Sequence, residues 1–174
     1  FKTIENELPS QMMVGPRRAF PGYMYFFHYE PAGKHELPAY DNFPLALIVQ
    51  REANGFLGLN FHYLSYRPRA ILFDMLHQSL VIQGPDSDGS GPKGPDPLRT
   101  RMRATYKVLT SMSKYKAFRP CMKRYRNSQF RSPLLQVGSS EWDLALFLPV
   151  EQFRKSTRAD VWQESQERIL ERKE

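Results

Sequence analysis

One segment of the chain holds the residues best suited to binding an anion. Between Arg99 and Arg131 there are eleven lysines and arginines and no acidic residue, whereas the rest of the chain has 14 basic and 18 acidic residues. This basic segment therefore supplies all of the net charge of +7. Its charged residues are Arg99, Arg101, Arg103, Lys107, Lys114, Lys116, Arg119, Lys123, Arg124, Arg126 and Arg131.

Aromatic residues lie between the charges of the basic segment, and this combination suits nucleic acid. Lysine and arginine side chains contact a phosphate backbone, while aromatic rings stack on bases. The rings are those of Tyr106, Tyr115, Phe118, Tyr125 and Phe130. Two alternatives stay open, because a solvated helix face and a face docked on an acidic protein would carry the same charge.

The histidines are the other residues that could do chemistry. They are His28, His35, His62 and His77. None follows another by three or four residues, the spacing that helical metal sites use. In an enzyme, His62 would be a general base oriented by Asp41, with Arg67 at the same site. Because no nucleophile motif accompanies His62, we interpret it as a half-buried histidine that donates a hydrogen bond to backbone at a strand end.

The single cysteine, Cys121, excludes an internal disulfide and a cysteine-built zinc site. Its basic neighbours Arg119, Lys123 and Arg124 would lower the pKa of its thiol, but we interpret Cys121 as a small packing residue. We therefore predict no catalytic residue, no metal and no cofactor, and a protein that is not an enzyme.

The composition indicates one folded domain. The 174 residues are 41% hydrophobic, which suffices for one buried core, and the chain is too short for two comfortable domains. No apolar run approaches the roughly 20 residues that cross a bilayer, so we expect no membrane contact. The opening residues FKTIENELPSQ carry charges and have no apolar stretch, unlike a signal peptide.

Three strand-like runs precede the basic segment and predict a small antiparallel sheet or barrel. They cover residues 22–30, 43–52 and 55–64. The second and third are a candidate hairpin with Asn54 and Gly55 at its turn.

The remaining pattern predicts helices around that sheet. The expected elements are a helix at 65–83, a loop at 84–97, a basic helical segment at 98–131, two short strands within 132–149 and a helix at 156–174. Apolar residues recur at helical spacing in the first and last helices, and Thr157 with Asp160 resembles a capping box. The fold class is therefore α+β, with an extended arm at 1–20, one domain at 21–155 and a C-terminal helix at 156–174.

Several stretches of the chain resemble a group of small proteins from tailed bacteriophages with T-even-like virions. The stretches are PGYMYFFHYEP, LPAYDNFPL, GFLGLNFHYL and YRPRAILFDML, followed by FRPCMKRYR and SSEWDLALFLP. They span roughly residues 20–155. The resemblance implies a structural protein of the virion, of the kind labelled as DNA-end-protecting or as a tail or baseplate component. It carries over no catalytic residue, and the strands it covers fit a small SH3-like barrel.

We therefore expect a non-enzymatic structural component of a tailed-phage particle, located in the virion and, during assembly, in the host cytoplasm. The basic segment would contact packaged DNA ends or acidic neighbouring subunits at the neck, tail or baseplate, so other virion proteins and phage DNA are the expected partners. The arm, the loop at 84–97 and the C-terminal helix are expected to become ordered on neighbours. The alternatives are a nucleic-acid-processing enzyme on a small barrel and a free nucleic-acid-binding regulator.

Overall fold

Short apolar strands build an antiparallel sheet on which the described helices pack. The computed structural model describes residues 11–83 and 119–171. Its strands are β1 (Gln11–Val14), β2 (Met24–Phe26), β3 (Tyr40–Asp41), β4 (Leu45–Glu52), β5 (Gly55–Asn60), β6 (Met122–Arg126), β7 (Leu134–Val137) and β8 (Phe153–Arg154). Its α-helices are α1 (Tyr66–Gln83), α2 (Trp142–Leu146) and α3 (Arg158–Glu171). The predicted α+β fold class is confirmed.

Six of the strands form one sheet in the order β1-β7-β2-β4-β5-β6, and β3 pairs with β8 in a second, two-stranded sheet. All pairings are antiparallel. Within the described residues β1 and β6 are the edges of the larger sheet, which is therefore open. The small-sheet form of the prediction is correct, and the described part of the chain contains no closed barrel.

Strand β4 lies between two buried layers. Successive side chains of a strand point to opposite faces of its sheet. Leu45 and Leu47 belong to the core that contains residues of α1 and α2, whereas Ala46 and Ile48 belong to an aromatic core on the other face. An unbroken apolar run is the sequence sign of a strand that is covered on both faces. This explains why β4 does not alternate between apolar and polar residues.

Strands β4 and β5 form the predicted hairpin, with Glu52 opposite Gly55 at its closed end. Glycine is required at position 55 because β6 passes so close. A Cβ atom placed there would lie 1.8 Å from the carbonyl oxygen of Tyr125. Gly58 is less crowded, since its Cβ would lie 3.3 Å from the Cβ of Ala46.

A buried arginine fixes the start of α1. Arg69 is fully buried, and its Nε and Nη2 donate to the carbonyl of Leu64 at 3.2 and 2.8 Å. Its Nη1 donates to the carbonyl of Leu146 at the end of α2, and its Nη2 pairs with Glu151 at 3.0 Å. The guanidinium also lies 5.6 Å from the ring centroid of Trp162 in α3. One side chain therefore joins all three helices.

Helix α3 packs on the rest of the domain through one buried face. Its buried residues are Val161, Ser165 and Ile169. The backbone N–H of Asp160 donates to Thr157 Oγ1 at 3.1 Å, which confirms the predicted cap. Arg168 and Glu164 form an ion pair at 2.8 Å on the exposed side.

From Gln11 onward, the predicted N-terminal arm is paired with the sheet. Residues 11–14 form β1, in which Met12 lies opposite Gln136 of β7. A 3₁₀ turn at Pro16–Arg18 follows, and Ala19 after it is buried. The domain therefore begins before residue 21, while residues 1–10 lie outside the described part of the chain.

Two further predictions differ from the structure. Residues Met122–Arg126 of the basic segment form a strand instead of a helix, because they pair along β5. The rest of its helical prediction, at 98–118, and the loop at 84–97 lie outside the described residues. In place of the second strand expected within 132–149, the structure has the helix Trp142–Leu146. Its buried residues, Trp142, Ala145 and Leu146, recur at helical spacing.

Replacing Arg69 with methionine should destabilise the fold by about 3–5 kcal/mol, because Glu151 would then be a buried charge without its closest partner. The matched control is Arg67→Met, at an exposed position of the same helix, which should leave the stability unchanged. Urea unfolding followed by circular dichroism measures both. Equal unfolding midpoints for the two variants would contradict the role given to Arg69.

Candidate anion-binding cleft

A surface cleft lined by four arginines is the strongest candidate site in the described structure. Its volume is about 1030 Å³, and it lies between the Pro16–Arg18 turn, the β4–β5 turn and the end of β6. We call it the arginine cleft. Its charged and amide-bearing residues are Arg17, Arg18, Arg51, Asn54, Arg126 and Asn127.

Arg51 builds one wall of the arginine cleft. It follows the apolar part of β4, and its Nη1 donates to the carbonyl oxygens of Pro16 at 3.1 Å and Ala19 at 2.9 Å. These two bonds hold the Pro16–Arg18 turn beside the sheet. The side chains of Arg17 and Arg18 on this turn are exposed to solvent.

The end of β6 builds the opposite wall. The N–H of Asn127 donates to the carbonyl of Asn54 in the hairpin turn at 2.7 Å. The N–H of Arg126 donates to Tyr29 Oη at 2.9 Å. Because Gly55 has no side chain, β6 can approach the hairpin closely enough for the bond between Asn127 and Asn54 to form. The Arg126 side chain is exposed.

The charge of the arginine cleft is not neutralised by the described part of the protein. None of its described lining residues is acidic. Arg17, Arg18, Arg51 and Arg126 form no ion pair with a described carboxylate. The nearest acid in sequence, Glu52, is instead paired with another arginine of β6. Unpaired guanidinium groups in a concave surface attract anions.

The basic residues proposed from the sequence as one binding face have different surroundings in the structure. Arg126 lines the arginine cleft, whereas Arg124 pairs with Glu52 at 2.9 Å and Arg131 pairs with Glu30 at 3.3 Å. Arg119 is exposed in a short 3₁₀ turn, and Lys123 packs against Tyr63. The other six lie outside the described residues. They are Arg99, Arg101, Arg103, Lys107, Lys114 and Lys116.

Sequence reasoning missed three of the four arginines of the cleft. The sequence pattern places Arg17 and Arg18 in an arm outside the predicted domain, and it places Arg51 near the end of a predicted strand without indicating a binding role. The adjacent pair at 17–18, between a proline and a buried alanine, was the available signal. No sequence pattern marks Arg51 as a cleft residue, because only the sheet register and the path of the Pro16–Arg18 turn bring it to the other three arginines.

A second polar cluster surrounds Asp41 and is sealed from solvent. Asp41 is 4% exposed, and Asn60 and His62 are 0% exposed. The Asp41 Oδ2 atom lies 2.9 Å from His62 Nδ1 and accepts from Asn60 Nδ2 at 3.0 Å. Its Oδ1 accepts from the N–H of Phe43 at 2.9 Å. Asn60 Nδ2 also donates to Tyr125 Oη at 3.1 Å.

This geometry corrects the interpretation of His62. The ring is fully buried instead of half-buried, and its Nδ1 faces a carboxylate instead of a backbone group. Its Nε2 has no hydrogen-bond partner within the described structure. The postulated third member of an active site, Arg67, is exposed, and no described hydrogen bond joins it to Asp41 or His62. In this conformation a substrate has no access to the ring.

Burial also decides the chemistry of the single cysteine. Burial raises the pKa of the Cys121 thiol to about 12, outweighing the nearby charges of Lys123 and Arg69, so the predicted lowering is wrong. Among the described residues no group of three or more His, Cys, Asp or Glu side chains is placed to hold a metal ion. A search of the same residues found no helix long and apolar enough to cross a membrane.

No protein-family model, curated protein or solved structure matches this chain. The resemblance to virion proteins of tailed bacteriophages therefore stays a hypothesis. The absence of an enzymatic activity likewise stays a prediction. What the structure adds is a charged cleft of defined geometry and a histidine sealed within the core.

Gly55→Ala should destabilise the protein by at least about 1–3 kcal/mol, because the new Cβ must push the backbone of β6 away from the hairpin. Gly15→Ala is the matched control within the same cleft, since its Cβ meets nothing within 4 Å and its φ of −72° suits alanine. Hydrogen exchange of the β6 amides should accelerate only in the first variant. Equal exchange rates would show that β6 does not depend on Gly55.

Acid should weaken the fold through Asp41. Burial alone would raise the pKa of this carboxyl, but attraction to His62 and three hydrogen bonds outweigh it and hold the pKa below its ordinary value. The stabilisation is therefore complete above the unfolded-state pKa of about 4 and is lost as the pH falls below it. Asp41→Asn should cost about 3 kcal/mol at pH 7, and its deficit should shrink in acid.

The control for this experiment is Asp143→Asn, at an exposed position of α2. At pH 7 its unfolding free energy should lie close to that of the unaltered protein. Unfolding free energies from urea titrations at several pH values provide the comparison. A deficit of Asp41→Asn that is the same at pH 3 and pH 7 would contradict the assignment of a lowered pKa.

Proposed function

We propose that this protein is a non-enzymatic structural protein that holds the phosphate backbone of DNA in its arginine cleft. The observation that carries the proposal is the convergence of four arginines from three separate segments without an acidic residue among the described lining. Charges that are merely solvated have no need to converge, and like charges brought together reduce stability. Such a cluster is retained where an anion binds to it.

The side-chain chemistry of the cleft favours phosphate. All four cations are arginines, and the planar guanidinium group donates two parallel hydrogen bonds to phosphate oxygens. Lysine provides only a point charge. DNA presents one negative charge for about every 1.7 Å of its axis, so several arginines in one cleft can be engaged together.

Arg126 belongs both to the cleft and to the basic segment of the sequence. It lines the cleft and is also one of the eleven cations between Arg99 and Arg131. Charges within roughly 10 Å reinforce one another at ordinary ionic strength. The arginines that line the cleft would therefore attract one DNA backbone together.

The setting of this activity rests on the resemblance alone. A structural component of a tailed-phage particle would meet packaged DNA at the neck, tail or baseplate, and DNA ends are one such contact. An acidic neighbouring subunit is the competing partner, because carboxylates also accept bidentate bonds from arginine. A free regulator would bind DNA by the same cleft without belonging to the particle. Mass spectrometry of purified particles separates these settings, since only a virion component is present at a fixed copy number.

The DNA contact is tested by removing two charges from the cleft. The double variant Arg17→Gln, Arg126→Gln should bind a short DNA duplex more weakly. The negative slope of log affinity against log salt concentration should become shallower by about 2, because each lost phosphate contact removes about 0.9 from its magnitude. The control is Arg67→Gln, Arg154→Gln, which removes the same charge from exposed positions outside the cleft.

Three outcomes are informative. A reduced slope in the cleft variant alone supports the proposal. An unchanged affinity and slope in that variant refute it. Polyglutamate could also be tested as a competitor of the duplex. If it competes as effectively as DNA of equal charge, the cleft is instead assigned to an acidic protein partner.

A further inference from the structure

A second, smaller cavity lies where the start of β6 meets α3. Its volume is about 240 Å³, below the range of roughly 300–1,000 Å³ typical of sites for drug-sized ligands. We call it the lysine pocket. Residues that form it include Leu37, Pro38, Tyr63, Lys123, Glu164 and Arg168. It shares no described lining residue with the arginine cleft.

Lys123 is the unusual feature of the lysine pocket. Its side chain is half-buried, and its Nζ lies 4.0 Å from the centroid of the Tyr63 ring. No described carboxylate lies within ion-pair distance of this ammonium group. Burial lowers the pKa of Lys123, with the charge of Arg168 acting in the same direction, and together they outweigh the opposite effect of Glu164 and Asp41. A contact with an aromatic face offsets only part of the cost of desolvating a cation.

The other charges of the lysine pocket do not neutralise Lys123. Glu164 is engaged by Arg168 at 2.8 Å, so these two largely cancel each other. The pocket therefore keeps one positive charge at a concave, partly desolvated position. An anion bound there would supply the counter-charge that the described protein does not.

The remaining wall of the pocket is apolar and sets the size of the ligand. Leu37 and Pro38 form one side, and Val161 and Pro120 belong to the other side. Lys155 Nζ donates to the carbonyl oxygens of residues 34 and 37, which fastens the outer loop to the segment before α3. The wall is therefore held in place by hydrogen bonds of the folded chain. Small ligands bind in pockets that combine such a wall with a few polar groups.

We propose that the lysine pocket binds a small organic anion, with Lys123 facing its carboxylate or phosphate group and the apolar wall covering its short carbon chain. This site is separate from the arginine cleft and does not depend on DNA binding. Its volume admits a ligand of a few carbon atoms and excludes a nucleic acid backbone. Lys123, which the sequence grouped with the DNA-contacting cations, then has a different ligand.

The test uses the full chain with two probes, butyrate and inorganic phosphate, in chloride buffers of constant ionic strength. Calorimetry and amide chemical shifts of α3 should show saturable binding in the millimolar range for at least one probe. Lys123→Met should weaken that binding at least about tenfold, because one charge-assisted hydrogen bond is lost. The control is Arg124→Met on the same strand, an exposed neighbour outside the pocket, which should bind as the unaltered protein does.

A measurement on the unaltered protein avoids any effect of the substitution on folding. Acetic anhydride should modify Lys123 more slowly in the presence of the bound probe, while Lys34, which is half-buried and ion-paired with Glu30 and does not line the pocket, should react at the same rate with and without it. Tighter binding of butyrate assigns the pocket to carboxylates, and tighter binding of phosphate assigns it to phosphorylated ligands. Three results would each overturn the proposal. They are that neither probe shows saturable binding, that Lys123→Met binds with the affinity of the unaltered protein, or that the bound probe does not protect Lys123. The Arg17→Gln, Arg126→Gln variant should bind both probes as the unaltered protein does, because its substitutions lie outside the lysine pocket. The two proposals can therefore fail independently.

Discussion

The carboxylate of Asp41 holds together elements that are far apart in the sequence. It accepts hydrogen bonds from the N–H of Phe43 and from Asn60 Nδ2, and it faces His62 Nδ1. Asn60 extends the chain of bonds to Tyr125 in β6. A buried charge of this kind is stable only when each of its partners is in place, so the cluster fixes β3, β5 and β6 relative to one another. Both proposed sites depend on that result, since β6 carries Arg126 to the arginine cleft and Lys123 to the lysine pocket.

Strand geometry explains how one edge strand can serve two different sites. Arg126 lies at the end of β6 beside the hairpin turn, whereas Lys123 lies near its start beside Tyr63. Between them, Tyr125 is buried in the aromatic core. The charges of β6 therefore act at two places, not as a single basic face. Arg124, paired with Glu52, contributes to neither site.

Much of the fold was predictable because it rests on local patterns. The β4–β5 hairpin, α1 and the Thr157 cap each depend on residues close together in sequence. Helix α2 was mistaken for a strand, since a run of five residues is too short for its period to be recognised. The strand β6 was mistaken for part of a helix because its arginines alternate with residues whose burial is set by β5. Neither error could be avoided without knowing the partner of the segment.

The sequence by itself determined the class of the fold, the hairpin, two helices and the excess of positive charge. It could do so because turn chemistry, periodicity and composition are properties of neighbouring residues. Only the tertiary structure decided which charges remain unpaired and which meet. It placed Arg51 beside Arg17 and Arg126, and it sealed His62 against Asp41. These contacts join residues separated by up to about a hundred positions, and their free energies depend on burial and register, which no local pattern encodes.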